Sequence, residues 1–275
     1  MGGPFLSKSA EIIEVAGQLL REGRKIAICT VVEKIGSGPA ERGRKMLVTE
    51  DGRTLGTIGG GESFERELKE RALEAIKEGK STSLKFAFYG GAKEDELDTG
   101  LWCGGTMTLF IDVIEPNPKL VLVGSGHVAL PTYRIADLLG FDVTIVDDMK
   151  DTMTKERFPN AKLIYDKNFE KALEKVKVDD NTYVAIVHGE PKHDLSALRR
   201  FARENVAYLG VLGSKTKISK LMGILRKEGI PERTLKRISG PIGLDIGAET
   251  PEEIAVSIAA ELIEKIRRAK GDQGS

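Results

Sequence analysis

Leu120-Val121-Leu122-Val123-Gly124-Ser125-Gly126-His127-Val128-Ala129 is the stretch that decides the fold of the second half of this chain. Four apolar residues read as a buried strand, two glycines one residue apart as a tight turn, and the pattern beyond them as a helix. A mononucleotide-binding βαβ unit opens this way. Gly124 allows the turn, Gly126 lets backbone approach a phosphate, and Ala129 supplies a small residue where helix packs on strand. Asp142-Val143-Thr144-Ile145-Val146-Asp147-Asp148 reads as the next strand. Asp147 falls about 20 residues beyond the glycines, where a ribose-binding carboxylate belongs. A glycine turn alone is weak evidence. With both strands, the helix between them and the terminal Asp, it predicts a Rossmann-type unit.

Strand and helix patterns keep alternating downstream. Lys162–Tyr165, Thr182–Val187 and Val206–Leu212 read as strands, and Phe169–Val176 and Leu195–Glu204 as helices. Thr182–Val187 is apolar enough for a parallel sheet buried on both faces. The expectation for residues 116–275 is therefore an α/β, doubly wound parallel sheet. Ser214 and Lys215 follow a strand at its C-terminal end, where such sheets bind ligands. Thr250-Pro251-Glu252-Glu253 has an N-cap Thr, a Pro at the first position and a Glu at the third, a capping box. Ile254, Ile258, Leu262 and Ile266 then line one helix face. The Gly-rich loop before it, Ser239–Ala248, carries Asp245, which reads as buried, either a capping carboxylate or a ligand contact.

Glu115-Pro116-Asn117-Pro118 breaks the pattern and marks a domain boundary, leaving residues 1–115 as an α+β domain. Ser9–Glu22 has helical spacing, and Lys25–Val32 reads as a core strand in which Cys29 is a small buried hydrophobe. Glu33–Met46 gathers Arg42, Arg44 and Lys45 around Gly36, Gly38 and Gly43. That composition suits either an anion site or a solvated hairpin. Lys45–Thr49 and Thr54–Ile58 read as strands. The run Gly59-Gly60-Gly61 then feeds a helix whose buried face is Phe64, Leu68, Ala72, Ala75 and Ile76. A glycine loop at a helix N-terminus can hold an anion, although Glu62 and Glu65 in the first turn oppose one. Ser83–Phe88 reads as a strand, Gly90–Asp98 as an acidic loop, and Thr106–Ile114 as a strand. Cys103, with Gly104 and Gly105, is placed in a glycine-rich bend before that last strand. It is either an inert buried thiol or a thiolate that holds a soft metal or carries sulfur.

The chain has 275 residues, two cysteines, and Lys+Arg and Asp+Glu equal at 42 each. The length favours two domains, and the balanced charge gives no drive towards nucleic acid or membrane. No apolar run is long enough to span a bilayer, and the N-terminus lacks a signal-peptide layout, so the expected location is cytoplasmic. Two cysteines argue against a disulfide framework. His127, His188 and His193 have no metal-ligand spacing among them. His127, inside the glycine turn, is either phosphate-adjacent or merely packed.

Taken together, these motifs resemble the XdhC/CoxI family, accessory factors for xanthine dehydrogenase and related molybdenum hydroxylases. The resemblance rests on Gly56-Thr57-Ile58-Gly59-Gly60-Gly61, Cys103-Gly104-Gly105, Gly124-Ser125-Gly126-His127-Val128, Leu209–Ser214 and Pro241–Pro251. It implies a family-specific N-terminal domain followed by a Rossmann domain. It implies a protein that binds molybdenum cofactor (molybdopterin), supports its sulfuration and inserts it into an apo molybdenum hydroxylase. A cysteine desulfurase is then the expected sulfur partner and a homodimer the expected assembly, with Cys103 as the candidate metal contact. Two places depart from the pattern. Glu62 stands where many relatives have Cys after the triple glycine, and the loop after Thr182–Val187 is His188-Gly189-Glu190-Pro191. The competing readings are an NAD(P)-dependent oxidoreductase and a nucleotide-regulated scaffold. An enzyme is the weaker of these expectations, since no clear catalytic acid or base is visible.

Overall fold

The computed structural model describes residues 5–91, 93 and 95–269, and divides into two compact units, Met1–Pro116 and Asn117–Ser275. Ala92 and Glu94, within the stretch read as an acidic loop, lie outside the described part, as do the first four and last six residues.

The first unit is a six-stranded sheet in the order β3-β2-β1-β6-β4-β5. Its strands are β1 (Ile26–Gly36), β2 (Lys45–Thr49), β3 (Thr54–Gly56), β4 (Thr82–Tyr89), β5 (Leu97–Asp98) and β6 (Trp102–Ile114). Alternation along β1 sends its two faces to two different helices. Ile26 and Ile28 meet Ile12 and Ala16 of α1 (Phe5–Arg21). Ala27, Cys29 and Val31 face the opposite way, into the cluster containing Phe64, Leu68 and Ala72 of α2 (Gly61–Glu78). The five α2 residues expected on its apolar face are the five that are buried. Phe64 meets Phe86 and Phe88 edge-on at centroid separations of 5.0 and 5.3 Å. Cys29 is fully buried in this layer, and burial pushes its thiol up to about 12, as befits an inert core residue.

One expectation is corrected here. Cys103, Gly104 and Gly105 do not form a bend before a strand but belong to β6 itself, where Gly105 pairs with Gly36. The glycines permit the strand: a Cβ on Gly105 would lie 2.3 Å from the carbonyl oxygens of Ile35 and Ser37. Gly105 thus serves close strand approach, whereas Gly104 supplies a left-handed φ of 86° within the strand.

The second unit is a wholly parallel six-stranded sheet in the order β12-β11-β10-β7-β8-β9. The strands are β7 (Lys119–Val123), β8 (Asp142–Asp147), β9 (Lys162–Tyr165), β10 (Thr182–Ile186), β11 (Tyr208–Val211) and β12 (Ile238–Ser239). Renumbered from its own first strand, the order is 3-2-1-4-5-6, that of a dinucleotide-binding Rossmann sheet. Helices α3 (Ala129–Leu138) and α8 (Pro251–Ala269) cover the face bearing Leu120, Leu122 and Ile145. The face bearing Val121, Val123 and Ile186 lies under α4 (Phe169–Glu174), α5 (Pro191–Phe201) and α6 (Lys215–Lys227). A four-residue helix, α7 (Glu232–Leu235), follows α6.

One helix boundary and one burial differ from the sequence reading for physical reasons. Helix α5 starts four residues before Leu195, because Pro191 is pre-set for the first helical position and only the later turns carry apolar residues. The α8 capping box forms as expected: Thr250 Oγ1 accepts from Glu253 N at 3.2 Å, and Glu253 Oε2 accepts from Thr250 N at 3.0 Å. Asp245, read as buried, is exposed. The buried carboxylate of this region is Glu261 on α8, 5% exposed. It accepts from Tyr208 Oη at 2.6 Å, Gly243 N at 2.6 Å and Ser239 Oγ at 2.5 Å, pinning the Ser239–Ala248 loop to the helix. Burial pushes the Tyr208 hydroxyl's pKa well up, and Glu261 beside it adds to the shift, so Tyr208 remains a donor. Glu261→Ala strands three donors and is expected to cost about 3 kcal/mol of unfolding free energy in urea titration. A loss below about 1 kcal/mol would show that the loop does not depend on this carboxylate.

Candidate functional site

The order of the second sheet reverses between β7 and β10, and ligands of open α/β sheets bind at such a switch point. There the loop after β7 meets the loop after β10. Gly124 has a φ of 112°, and a Cβ on it would lie 2.7 Å from the Cα of His188. Glycine is therefore required both by conformation and by the approach of the neighbouring loop. Gly126 and His127 are exposed beyond it, and nothing lies within 4 Å of where a Cβ on Gly126 would be. Backbone at Gly126 is thus open to a ligand.

Asp147 behaves differently from the ribose-binding carboxylate the sequence suggests. It is 1% exposed, and its oxygens are engaged by the protein. Oδ2 accepts from Ser125 N at 2.7 Å and Ser125 Oγ at 2.6 Å, and Oδ1 accepts from Asp148 N at 2.7 Å. His188 Nε2 lies 3.4 Å from Oδ1. Burial alone would raise the carboxyl, but the His188 imidazole, the Ser125 donors and the Asp148 N–H outweigh it and hold Asp147 well below the usual carboxylate range. A ribose would have to displace these partners. In this geometry Asp147 shapes the glycine turn.

The residue facing outward at the end of β8 is Asp148, and it sits in a cluster that the sequence reading missed. His193 Nε2 lies 3.1 Å from Asp148 Oδ2, and His188 Nε2 lies 3.9 Å from Asp148 Oδ1. The two imidazoles stack with centroids 4.3 Å apart and planes 9° from parallel. His188 and His193, which have no metal-ligand spacing in the sequence, are thus brought together by the fold, and His127 is not part of the cluster. The signals were the Asp147-Asp148 pair closing a strand and a His on each side of Pro191, which starts α5. Burial pulls the His188 pKa down, while Asp147, Glu190 and Asp148 raise it, and the acidic neighbours prevail. Under the loop, Lys217 pairs with the fully buried Asp194, and its Nζ donates to Gly189 O at 2.9 Å.

Ser214 caps α6 by accepting from Lys217 N at 3.2 Å, and Lys215 begins that helix, exposed. Ser214, with Lys192, Lys217 and Lys220, lines a groove of about 620 Å³ between α5 and α6.

In the first unit, Arg42, Arg44 and Lys45 line a cleft of about 370 Å³ together with Ile12, Pro39, Ala40 and Thr57. Two of the cations are positioned by the framework: Arg44 Nε donates to Thr57 O at 2.8 Å and Lys45 Nζ to Thr30 Oγ1 at 2.9 Å. Gly59 and Gly60 adjoin this cleft through Pro39, whose carbonyl oxygen would lie 3.1 Å from a Cβ on Gly59, and Gly61 follows them at the start of α2. All three glycines have left-handed φ values, from 82° to 87°. A Cβ on Gly60 would also lie 2.8 Å from the Phe64 ring. Packing at Gly59 and Gly60, and backbone conformation at all three, thus account for glycine here without a ligand. An anion already sits on the first amide, since Gly59 N donates to Glu65 Oε1 at 2.9 Å. Cys103 is exposed, with Gly104 beside it also exposed, and it is not among the residues lining the cleft.

With both folds in place, comparison with known proteins identifies the family. Residues 19–87 match the XdhC and CoxI family and residues 120–262 the XdhC Rossmann domain, so the chain belongs to the XdhC/CoxI family. It is 35% identical over 262 residues to the uncharacterized protein YqeB of Escherichia coli (strain K12), covering 94% of this chain and 47% of that one. A protein of Bacillus subtilis (strain 168) described as a probable xanthine dehydrogenase subunit is 31% identical over 163 residues, covering 59% of this chain and 47% of that one. The chain thus spans about half the length of these two relatives. The molybdenum cofactor insertion chaperone PaoD of Escherichia coli (strain K12) is 24% identical, covering 91% of this chain and 86% of that one. A crystal structure described as a xanthine dehydrogenase from Bacillus halodurans shares the fold. Its TM-score is 0.52 at 21% identity, with 96% of this chain and 98% of that one covered. Among the described residues no helix is long and apolar enough to cross a membrane.

Asp147 gives a pH test of the turn. Its folded-state pKa is depressed from 3.8, so its stabilisation is complete above that value and is lost as pH falls through and below it. Asp147→Asn is expected to be less stable at neutral pH and to show a shallower loss of stability below pH 3.8 in urea titrations. An acid limb as steep as that of the unaltered protein would show that another carboxylate controls it.

Proposed function

We propose that this chain is an accessory factor for a molybdenum hydroxylase of the xanthine dehydrogenase type. It binds molybdenum cofactor, supports its sulfuration and inserts it into the apoenzyme. The observation that carries this reading is family membership in both units, joined by similarity to a molybdenum cofactor insertion chaperone over most of both chains.

The first unit's cleft fits the group. A volume of about 370 Å³ lies in the range of small-molecule sites. Its wall combines apolar Ile12, Pro39 and Ala40 for a flat heterocycle with Arg42 and Lys45 for a phosphate. When bound, the cofactor supplies a redox-active molybdenum centre destined for the client enzyme. The chain's own residues would hold and shield it: Arg42 and Lys45 at the phosphate, Gly59, Gly60 and Gly61 beside them, and Cys103 with Gly104 as the exposed soft donor near molybdenum or sulfur. In the second unit, Gly126 and His127 would offer open backbone and an imidazole to the pterin or to a nucleotide, on a turn shaped by Gly124 and Asp147, while Ser214 and Lys215 would meet a ligand at the start of α6. A cysteine desulfurase as sulfur donor, a homodimer as the assembly and a cytoplasmic location belong to the same proposal.

The 3-2-1-4-5-6 strand order and the open backbone at Gly126 favour a second reading, an NAD(P)-dependent oxidoreductase or nucleotide-regulated scaffold. Mixing the purified chain separately with released molybdenum cofactor and with NAD(P)H, then measuring bound ligand after gel filtration, separates the two. Cofactor retention is expected, weakened about tenfold or more in a doubly substituted Arg42→Ala, Lys45→Ala chain. It should also fall in Cys103→Ala. Dinucleotide binding with turnover and no retained pterin would reject the accessory reading.

A further inference from the structure

We propose that Asp148, His188 and His193 form a binding site for a first-row divalent transition-metal ion, at the C-terminal edge of the parallel sheet. The inference does not rest on the molybdenum-cofactor reading.

The ligand set is brought together by topology. Asp148 follows β8, His188 stands just beyond β10, and His193 lies in the first turn of α5. One donor atom from each lies within 4.8 Å of the other two. Two ligands on a tetrahedral ion, each about 2.1 Å from it, lie roughly 3.4 Å apart. His193 Nε2 lies 3.1 Å from Asp148 Oδ2 and His188 Nε2 3.9 Å from Asp148 Oδ1, so the donors already stand near that spacing, and a small adjustment brings one donor atom from each onto a common ion. Two imidazoles and one carboxylate suit zinc, iron, cobalt or nickel, whereas magnesium and calcium prefer oxygen alone.

The imidazoles are also underused by the protein. The His188 side chain is 6% exposed, and neither of its ring nitrogens has a well-aligned hydrogen bond. Its approach to Asp147, 3.4 Å, is long for one. Buried polar atoms left in this way are uncommon and call for a ligand. The surroundings resemble an outer shell. Glu190 Oε2 lies 2.8 Å from His193 Nδ1 without the alignment of a hydrogen bond, while Nε2 faces Asp148. A small turn of the ring would align that pair, and a carboxylate on the far nitrogen is the usual companion of a ligating imidazole. The Phe169 ring packs edge-on against both imidazoles, at 4.4 and 5.4 Å, and forms an apolar wall. The Asp194–Lys217 pair fixes the loop that carries His188. Three carboxylates, Asp147, Asp148 and Glu190, supply the negative field a dication needs.

Three protein ligands leave a coordination position for water or a substrate atom, as in exchangeable and catalytic sites. The rings are stacked, so their in-plane lone pairs run nearly parallel. Loading requires one ring to turn until both converge. His193, 18% exposed against 6% for His188, is the one that turns.

The full chain, stripped with a chelator and dialysed, is titrated with Zn2+ by calorimetry and with Co2+ by visible absorption. One Co2+ per chain is expected, with ligand-field bands of a low-coordinate nitrogen and oxygen site and no thiolate charge-transfer band. Zn2+ should raise the thermal midpoint. His193→Gln and Asp148→Asn, both at partly exposed positions, should weaken metal binding by about tenfold or more and abolish the metal-dependent rise in midpoint. Their metal-free midpoints report that they remain folded. Cys103→Ala should bind as the unaltered chain does. Undiminished affinity in His193→Gln and Asp148→Asn would overturn the proposal. So would absence of Zn2+ and Co2+ binding to the unaltered chain, or a thiolate band lost in Cys103→Ala.

Discussion

The arrangement of the second unit depends on one buried carboxylate. Asp147 ends β8 and reaches across to the turn after β7, where Ser125 gives it both a backbone and a hydroxyl donor. That link fixes the glycine turn, and the turn in turn fixes how closely β10 can approach, because the Cα of His188 occupies the space a Gly124 side chain would need. An ionised group this deeply placed is tolerated only because each oxygen is met by donors. The same link leaves Asp148, the next residue, facing His193.

A comparable logic holds the loop most particular to this chain. Glu261 on α8 gathers donors from Tyr208, Ser239 and Gly243, which lie far apart in sequence but side by side at the sheet edge. The helix bearing it is anchored by its own apolar stripe, with Ile258 and Leu262 buried against the sheet. Hydrophobic burial places the helix, and a buried polar hub then selects one conformation for the loop it faces.

Much of the fold was legible because hydrophobic period and turn chemistry are local. The capping box of α8, the five-residue face of α2 and the strand Lys45–Thr49 all follow from residue order within a few positions. Legibility failed where a residue's role depends on a distant partner. The glycines at 104 and 105 look like a bend in sequence, yet they lie in a strand beside Gly36, about seventy positions earlier. Likewise Gly60 looks like a ligand loop until the Phe64 ring is seen against it. The start of α5 was missed because Pro191 and the polar residues after it carry no apolar period.

The sequence by itself determined the class: two units, a parallel Rossmann sheet in the second, and a family set by motifs running through both. These properties rest on periodicities that each segment expresses alone. Only the tertiary structure decided which polar groups meet. It turned Asp147 inward as a strut, exposed Asp245, and stacked His188 against His193 beside Asp148. The physical reason is that a parallel sheet brings the ends of its strands to one edge, whatever their separation in sequence. Residues there become neighbours through strand order, and no local pattern records that order.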